Sequence, residues 1–158
     1  MVQARVLTVS DRASRGEMTD GSGVAVVELL REAGIEVAGL DVLPDNHQLI
    51  IAWLRHNLAD HQLLLTTGGT GLSPRDLTPQ ATQEVIEYEV PGFGEIMRAA
   101  GLAHTPMAAL SRSLAGVCGR TLIINLPGSP RGAMESLQAV IPLLHHATQL
   151  LAGGGDEH

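Results

Sequence analysis

Leu63–Thr82, LLLTTGGTGLSPRDLTPQAT, decides how this chain is read. It opens on Leu63-Leu64-Leu65, an apolar run short enough to be a strand buried on both faces. Thr66-Thr67-Gly68-Gly69-Thr70-Gly71 follows, three glycines and three hydroxyls in six residues. Glycine accepts positive φ and lets backbone approach a ligand closely, so such a segment can curl its N–H groups around an anion. Asp76 comes next, and Thr78-Pro79 has the pattern of an N-cap followed by proline at the first helical position. Strand, glycine loop, acid and helix start, in that order, predict a phosphate site at the carboxyl end of a strand in an open α/β sheet.

The flanking chain alternates strands with helices. Val2–Val9 is apolar and β-branched, and a polar loop from Ser10 through Gly16 runs on to Gly23. A helix is expected from near Ser22 to Ala33, stopped by Gly34. Ile35–Leu43 predicts a second strand, broken by Pro44-Asp45-Asn46, and Leu49, Ile50, Trp53, Leu54 and Leu58 then share one helical face. Further helices are expected from Pro79 to about Glu87, and from after Pro91-Gly92 to near Ala100-Gly101. Ala109–Val117 and Arg120–Leu126 are strand-like runs joined at Cys118-Gly119, a hairpin signal. Ser129-Pro130 repeats the cap-then-proline pattern and heads a long amphipathic helix to Leu151, with Pro142 a candidate kink. Residues 152–158 are expected to be a frayed tail. No repeat or linker divides residues 1–158, so a single α/β domain with a largely parallel sheet plus a β-hairpin is expected.

Composition removes several function classes. A length of 158 residues suits one domain, which buries roughly 70% of its unfolded surface. Net charge is −7, and Trp53, Tyr88 and Phe93 are the only aromatics, which argues against nucleic-acid binding. All ten cationic residues are arginine. Without lysine there is neither a Schiff base nor the lysine of an ATPase P-loop. Cys118 is the only cysteine, so no intrachain disulfide forms and a reducing compartment is expected. Neither a signal-peptide core nor an apolar run of membrane-spanning length is present, so a cytoplasmic protein with no membrane partner is expected.

Candidate chemistry gathers in the loops after strands. Arg12, Arg15, Arg75, Arg112 and Arg131 fall there, where guanidinium forks suit phosphate oxygens. Asp45 and Asp76 each follow a strand, and neighbouring strand ends lie about 5–10 Å apart. Two carboxylates converging on a phosphate site suggest Mg²⁺. Asp45-Asn46-His47-Gln48 also has capping-box spacing, and Asp76 also suits an Asx-turn, so spacing leaves both alternatives open. The seven histidines lack metal-ligand spacing, and His145-His146 fit a helix carboxyl end better. Ser111, Ser113 and Ser129 have no neighbouring base, and neither G-x-S-x-G nor G-x-G-x-x-G occurs. These serines are expected to hydrogen-bond a ligand or backbone.

The ordered blocks Ser10-Asp11-Arg12, Leu43-Pro44-Asp45, the TTGGTG loop with Arg75-Asp76 and Thr78-Pro79, Pro91-Gly92-Phe93-Gly94-Glu95 with Met97-Arg98, Leu110-Ser111-Arg112, and Ile124–Pro130 span nearly the whole chain. Together they resemble the MogA/MoaB family of molybdenum-cofactor biosynthesis, which includes gephyrin-type G domains. The resemblance implies a three-layer α/β/α domain that assembles as a homotrimer. It implies a molybdopterin adenylyltransferase that moves AMP from ATP to the molybdopterin phosphate with Mg²⁺, releases pyrophosphate, and passes its product to a molybdenum insertase. By position, Asp45 and Asp76 correspond to the family's catalytic and Mg²⁺-binding aspartates. Ser10, Asp11, Thr67, Gly68, Gly69, Thr70, Gly71, Ser111, Asn125, Pro127, Gly128 and Ser129 correspond to its substrate and nucleotide cradle. The alternative is a MoaB-like trimer that binds molybdopterin or nucleotide without catalysis.

Overall fold

The computed structural model describes residues 1–154; positions 155–158 of the expected tail lie outside them. Six strands are formed by Gln3–Val9 (β1), Glu36–Leu43 (β2), Leu63–Thr67 (β3), Tyr88–Glu89 (β4), Ala115–Cys118 (β5) and Thr121–Leu126 (β6). They build one sheet in the order β2-β1-β3-β6-β5-β4. β2, β1, β3 and β6 are mutually parallel, and β5 runs antiparallel to both β6 and β4. The helices are Asp11–Ser14 (α1), Gly21–Glu32 (α2), His47–Asn57 (α3), Thr78–Val85 (α4), Pro91–Leu102 (α5) and Pro130–Leu151 (α6).

Alternation along β3 generates the layers. Leu63 and Leu65 pack into the core shared with α2, α5 and α6, whereas Leu64 faces the core shared with α3 and α4. All five β3 residues are buried, as a strand covered on both faces demands. The expected three-layer α/β/α architecture, mostly parallel with a hairpin, is what forms. β1 leads to β2 on one side while β3 pairs with β1 on the other, so the direction of winding reverses between β1 and β3. Ligands in open α/β sheets bind beyond the strand ends at such a switch point.

Local chemistry moved several boundaries. Ser10 accepts the Ala13 N–H at 3.1 Å and starts the single turn α1 inside the expected polar loop. The run Ala109–Val117 is not one strand. Pro106 presets φ and Thr105 Oγ1 accepts the Met107 N–H at 3.2 Å, so Pro106–Leu110 winds into a 3₁₀ turn and pairing begins only at Ala115. Gly119, at φ +60°, turns the chain between β5 and β6. α6 runs through Pro142, whose missing N–H frees the carbonyl of exposed Gln138. His145 Nε2 lies 3.2 Å from Ala33 O, at the carboxyl end of α2 rather than of its own helix. Ala152–Gly154 fold back on α6, with Gly153 and Gly154 N–H bonded to Leu150 O and Gln149 O. Among the described residues no helix is long and apolar enough to cross a membrane.

Leu65 is fully buried whereas Leu72, nine residues after β3 begins, is 67% exposed. Urea unfolding should show Leu65→Ala losing about 2–5 kcal/mol, and Leu72→Ala staying within about 0.5 kcal/mol of the parent.

Candidate active site

The loop after β3 bends at Gly68 and Gly69, with φ of +102° and +71°. A side chain at Gly68 would strike Val9 O, and one at Gly69 would strike Thr78 Oγ1. Both positions therefore require glycine for conformation and for space. Four bonds fix the bend from beneath: Gly68 N–H to Leu126 O at 3.1 Å, Thr67 Oγ1 to Pro127 O at 2.6 Å, Thr78 N–H to Gly69 O at 3.1 Å, and Arg112 N–H to Thr70 O at 2.9 Å.

The acids converge on this bend from three loops. Asp45 Oδ1 would lie 3.4 Å from a Cβ on Gly69, and Asp76 Oδ2 2.8 Å from one on Gly71. β1 separates β2 from β3, so the two carboxylates meet not on neighbouring strands but by reaching over the end of β1. There Asp11 ties Asp45, through Arg75, to the loop that carries Asp76. The Asp11 N–H donates to Asp45 Oδ2 at 3.1 Å, while the Asp45 N–H donates to Asp11 Oδ1 at 2.9 Å. Arg75 then closes on Asp11 through Nε and Nη2 at 3.0 and 2.8 Å.

The alternatives left open at Asp45 and Asp76 resolve differently. Asn46, not Asp45, caps α3 by accepting the Leu49 N–H at 3.0 Å. Asp76 does brace its own loop, accepting the Ser73 N–H at 3.0 Å. Thr78 is no cap: Leu77 occupies that position, and the Thr78 hydroxyl is buried beneath Gly69 without a partner among the described residues. Burial raises the Asp45 carboxyl above the ordinary aspartate range, and Asp11 and Asp76 add repulsion that Arg75 partly offsets. Asp11 goes the other way, lowered chiefly by its bond to Arg75.

A cleft of about 440 Å³ opens beside the bend. Of the expected cradle, Gly69, Thr70, Gly71, Ser111, Pro127, Gly128 and Ser129 line it, together with Asp76. Ser10, Thr67 and Gly68 instead line a hollow of about 130 Å³ behind it, where Gly128 is again part of the wall. Asn125 faces neither; its buried amide donates to Thr66 and Thr82 hydroxyls at 3.0 Å each and so joins β6, β3 and α4. Ser129 caps α6 through the Gly132 N–H at 3.0 Å, which puts a helix N-terminus at the cleft.

Four of the five loop arginines are occupied by protein groups. Arg15 pairs with Glu17, Arg75 with Asp11 and Arg131 with Glu135. Arg112 binds Gly71 O, Asp76 O and Gln80 Oε1 at 2.9, 2.8 and 3.0 Å and acts as a clamp on the glycine loop. Arg12 alone of the five makes no ion pair or side-chain hydrogen bond among the described residues. Sequence reasoning missed Met97, Arg98, Glu135 and Ser136 as cleft-lining groups. Met97-Arg98 was visible as a block without a role, while Glu135 has no local signal beyond lying within two turns of the Ser129 cap.

The residues present fit Mg²⁺. Among the described residues no group of three or more His, Cys, Asp or Glu could enclose a metal, and Mg²⁺ typically takes one or two carboxylates and completes its shell with water and substrate phosphates. The mutual repulsion around Asp45 is the electrostatic condition that a cation relieves.

Because the fold raises the Asp45 pKa, ionising Asp45 costs the folded state, and stability falls as pH rises from the unfolded pKa through the folded one. Asp45→Asn, which keeps an oxygen for the Asp11 N–H, should melt higher than the parent at pH 7. In thermal scans the gain should vanish below about pH 3.9, the ordinary aspartate value. Arg112→Met should leave two loop carbonyls unpaired, at roughly 1–3 kcal/mol of stability. Amide exchange should quicken at Gly69–Gly71 before it quickens in β3.

Residues 5–146 match the family described as "Probable molybdopterin binding domain". The chain is 42% identical over 152 residues to the molybdopterin adenylyltransferase of Helicobacter pylori strain 26695, covering 94% of this chain and 86% of that one. It is 40% identical over 150 residues to the molybdenum cofactor synthesis protein cinnamon of Drosophila melanogaster, covering 92% of this chain but 25% of that longer protein. The crystal structure of the molybdopterin biosynthesis enzyme MoaB of Thermus thermophilus superposes with a TM-score of 0.91 at 52% identity, covering 97% of this chain and 98% of that one. Sequence and fold agree: the chain belongs to the molybdopterin-binding domain family of molybdenum-cofactor biosynthesis.

Proposed function

We propose that this chain is a molybdopterin adenylyltransferase. A terminal phosphate oxygen of molybdopterin attacks the α-phosphorus of ATP, the bond to the β-phosphate oxygen breaks, and pyrophosphate leaves. The observation that carries this reading is that Asp45 and Asp76, from different strand ends, border the same glycine bend. The attacking oxygen is already anionic, so the reaction needs positioning and charge neutralisation rather than a strong base. Asp45 and Asp76 would hold Mg²⁺, which when bound supplies positive charge against the phosphates. The N–H groups of Gly69, Thr70 and Gly71 and the start of α6 would receive phosphate oxygens, the Gly68 N–H being held by Leu126 O. Ser10, Asp11 and Ser111 would complete the cradle, while Thr67 and Asn125 hold its backbone in place through their own hydrogen bonds. With so few aromatic residues, the nucleobase is held by backbone and aliphatic contacts. The active form in this reading is a cytoplasmic homotrimer that hands its product to a molybdenum insertase.

Purified protein given ATP, Mg²⁺ and molybdopterin should form adenylated pterin and pyrophosphate in equal amounts. Asp76→Asn should lower that turnover more than about 100-fold, a loss above roughly 2.7 kcal/mol, with its melting temperature near the parent's. Binding of pterin without pyrophosphate release by the parent would identify a carrier instead.

A further inference from the structure

The cleft is asymmetric along α6. One end holds the Ser129 cap, Gly128 and the glycine bend. Glu135 lies six residues further on, about 9 Å along the axis at 1.5 Å per residue. Its side chain is only 17% exposed and its position is fixed: Arg131 Nε donates to Oε1 at 2.9 Å, and His104 Nε2 lies 3.7 Å from the same oxygen. No hydrogen bond reaches Oε2 among the described residues. Met97 and Leu110 give this end apolar walls.

We infer that Glu135 is the residue that selects a pterin in the cleft, its carboxylate accepting from the N3–H and 2-amino group of an aminopyrimidinone ring. This rests on the proposed adenylyltransferase activity and adds which substrate occupies which part of the site. A carboxylate matches two adjacent donors, and the 2-amino-4-oxo edge of a pterin presents two. Adenine presents a donor beside the N1 lone pair, so one carboxylate oxygen would face an acceptor. The span from cap to carboxylate matches a bicyclic ring carrying a short phosphate arm. Phosphate then rests at the start of α6 and the glycine bend, with the ring lying toward Glu135. The adenylate is left to the Asp45 side of the bend. Arg131 binds Oε1 and His104 stands beside it, which holds the rotamer and leaves Oε2 and the second lone pair of Oε1 preorganised for the two ring donors.

The test is a residue-against-ligand cycle read by fluorescence titration. The probes are the phosphate ester of 6-hydroxymethylpterin and its analogue lacking the 2-amino group, with a non-hydrolysable ATP analogue as control. Glu135→Gln keeps side-chain volume and an oxygen for Arg131. It should weaken the pterin ester about 10–100-fold, the range for a hydrogen bond to a charged group. The ATP analogue should bind within about twofold of the parent, which also reports an intact fold. Removing the 2-amino group should cost the parent a similar factor and cost Glu135→Gln little. Equal pterin affinity in parent and variant overturns the assignment of Glu135 alone. Weaker ATP-analogue binding with unchanged pterin binding overturns it too, by placing the adenine in this cleft. Failure of the parent to bind the pterin ester at all removes the proposed activity together with this inference.

Discussion

Asp11, Asp45 and Asp76 are brought around one bend of backbone, and like charges at that separation oppose folding. The surrounding loops are organised to contain that repulsion. Asp11 and Asp45 exchange backbone N–H bonds, so each carboxylate gains a donor from the other's main chain. Arg75 then neutralises Asp11 from the next loop along. What is left over is concentrated on Asp45, whose carboxyl is the one pushed up by burial and by its acidic neighbours. In the proposed enzyme, a Mg²⁺–nucleotide complex would supply the missing positive charge. Fold stability would then be given up where binding recovers it.

Rigidity in the glycine bend comes from below and from the side. Thr67, Leu126, Pro127 and Thr78 hold its backbone from the strand ends and from the start of α4. Arg112 holds its far side through two carbonyls. Beneath lies a buried polar layer in which Asn125 ties Thr66 to Thr82 across two strands and a helix. Buried groups that bond to one another in this way specify one arrangement of the elements above them. The carbonyls of Gly69, Thr70 and Gly71 and the Thr67 hydroxyl are thus satisfied within the protein.

Much of this was legible in the order of residues. The apolar run Leu63–Leu65 identified a strand buried on both faces, because a continuous short hydrophobic run has no solvent side to give up. TTGGTG identified a bend, because positive φ at consecutive positions favours glycine. Ser129-Pro130 marked the start of α6, because a capping hydroxyl and a preset φ act locally. Thr78-Pro79 has the same pattern, yet Leu77 takes the cap position because the Thr78 N–H is drawn to Gly69 O. Ala109–Val117 misled for a related reason: the turn begun at Thr105-Pro106 outweighed a weak β tendency downstream.

The sequence by itself determined most of the long elements, the parallel α/β class and the family, since periodicity, turn chemistry and ordered motifs act over short spans of chain. Only the tertiary structure decided which groups share a site. Asp11 meets Asp45 across 34 residues and Arg75 across 64. Arg112 turned from an expected anion ligand into a loop clamp, and Glu135 joined the cleft without any local signature. Those outcomes depend on strand order and on how far each loop reaches past β1, which come from packing the whole sheet between its two helical layers.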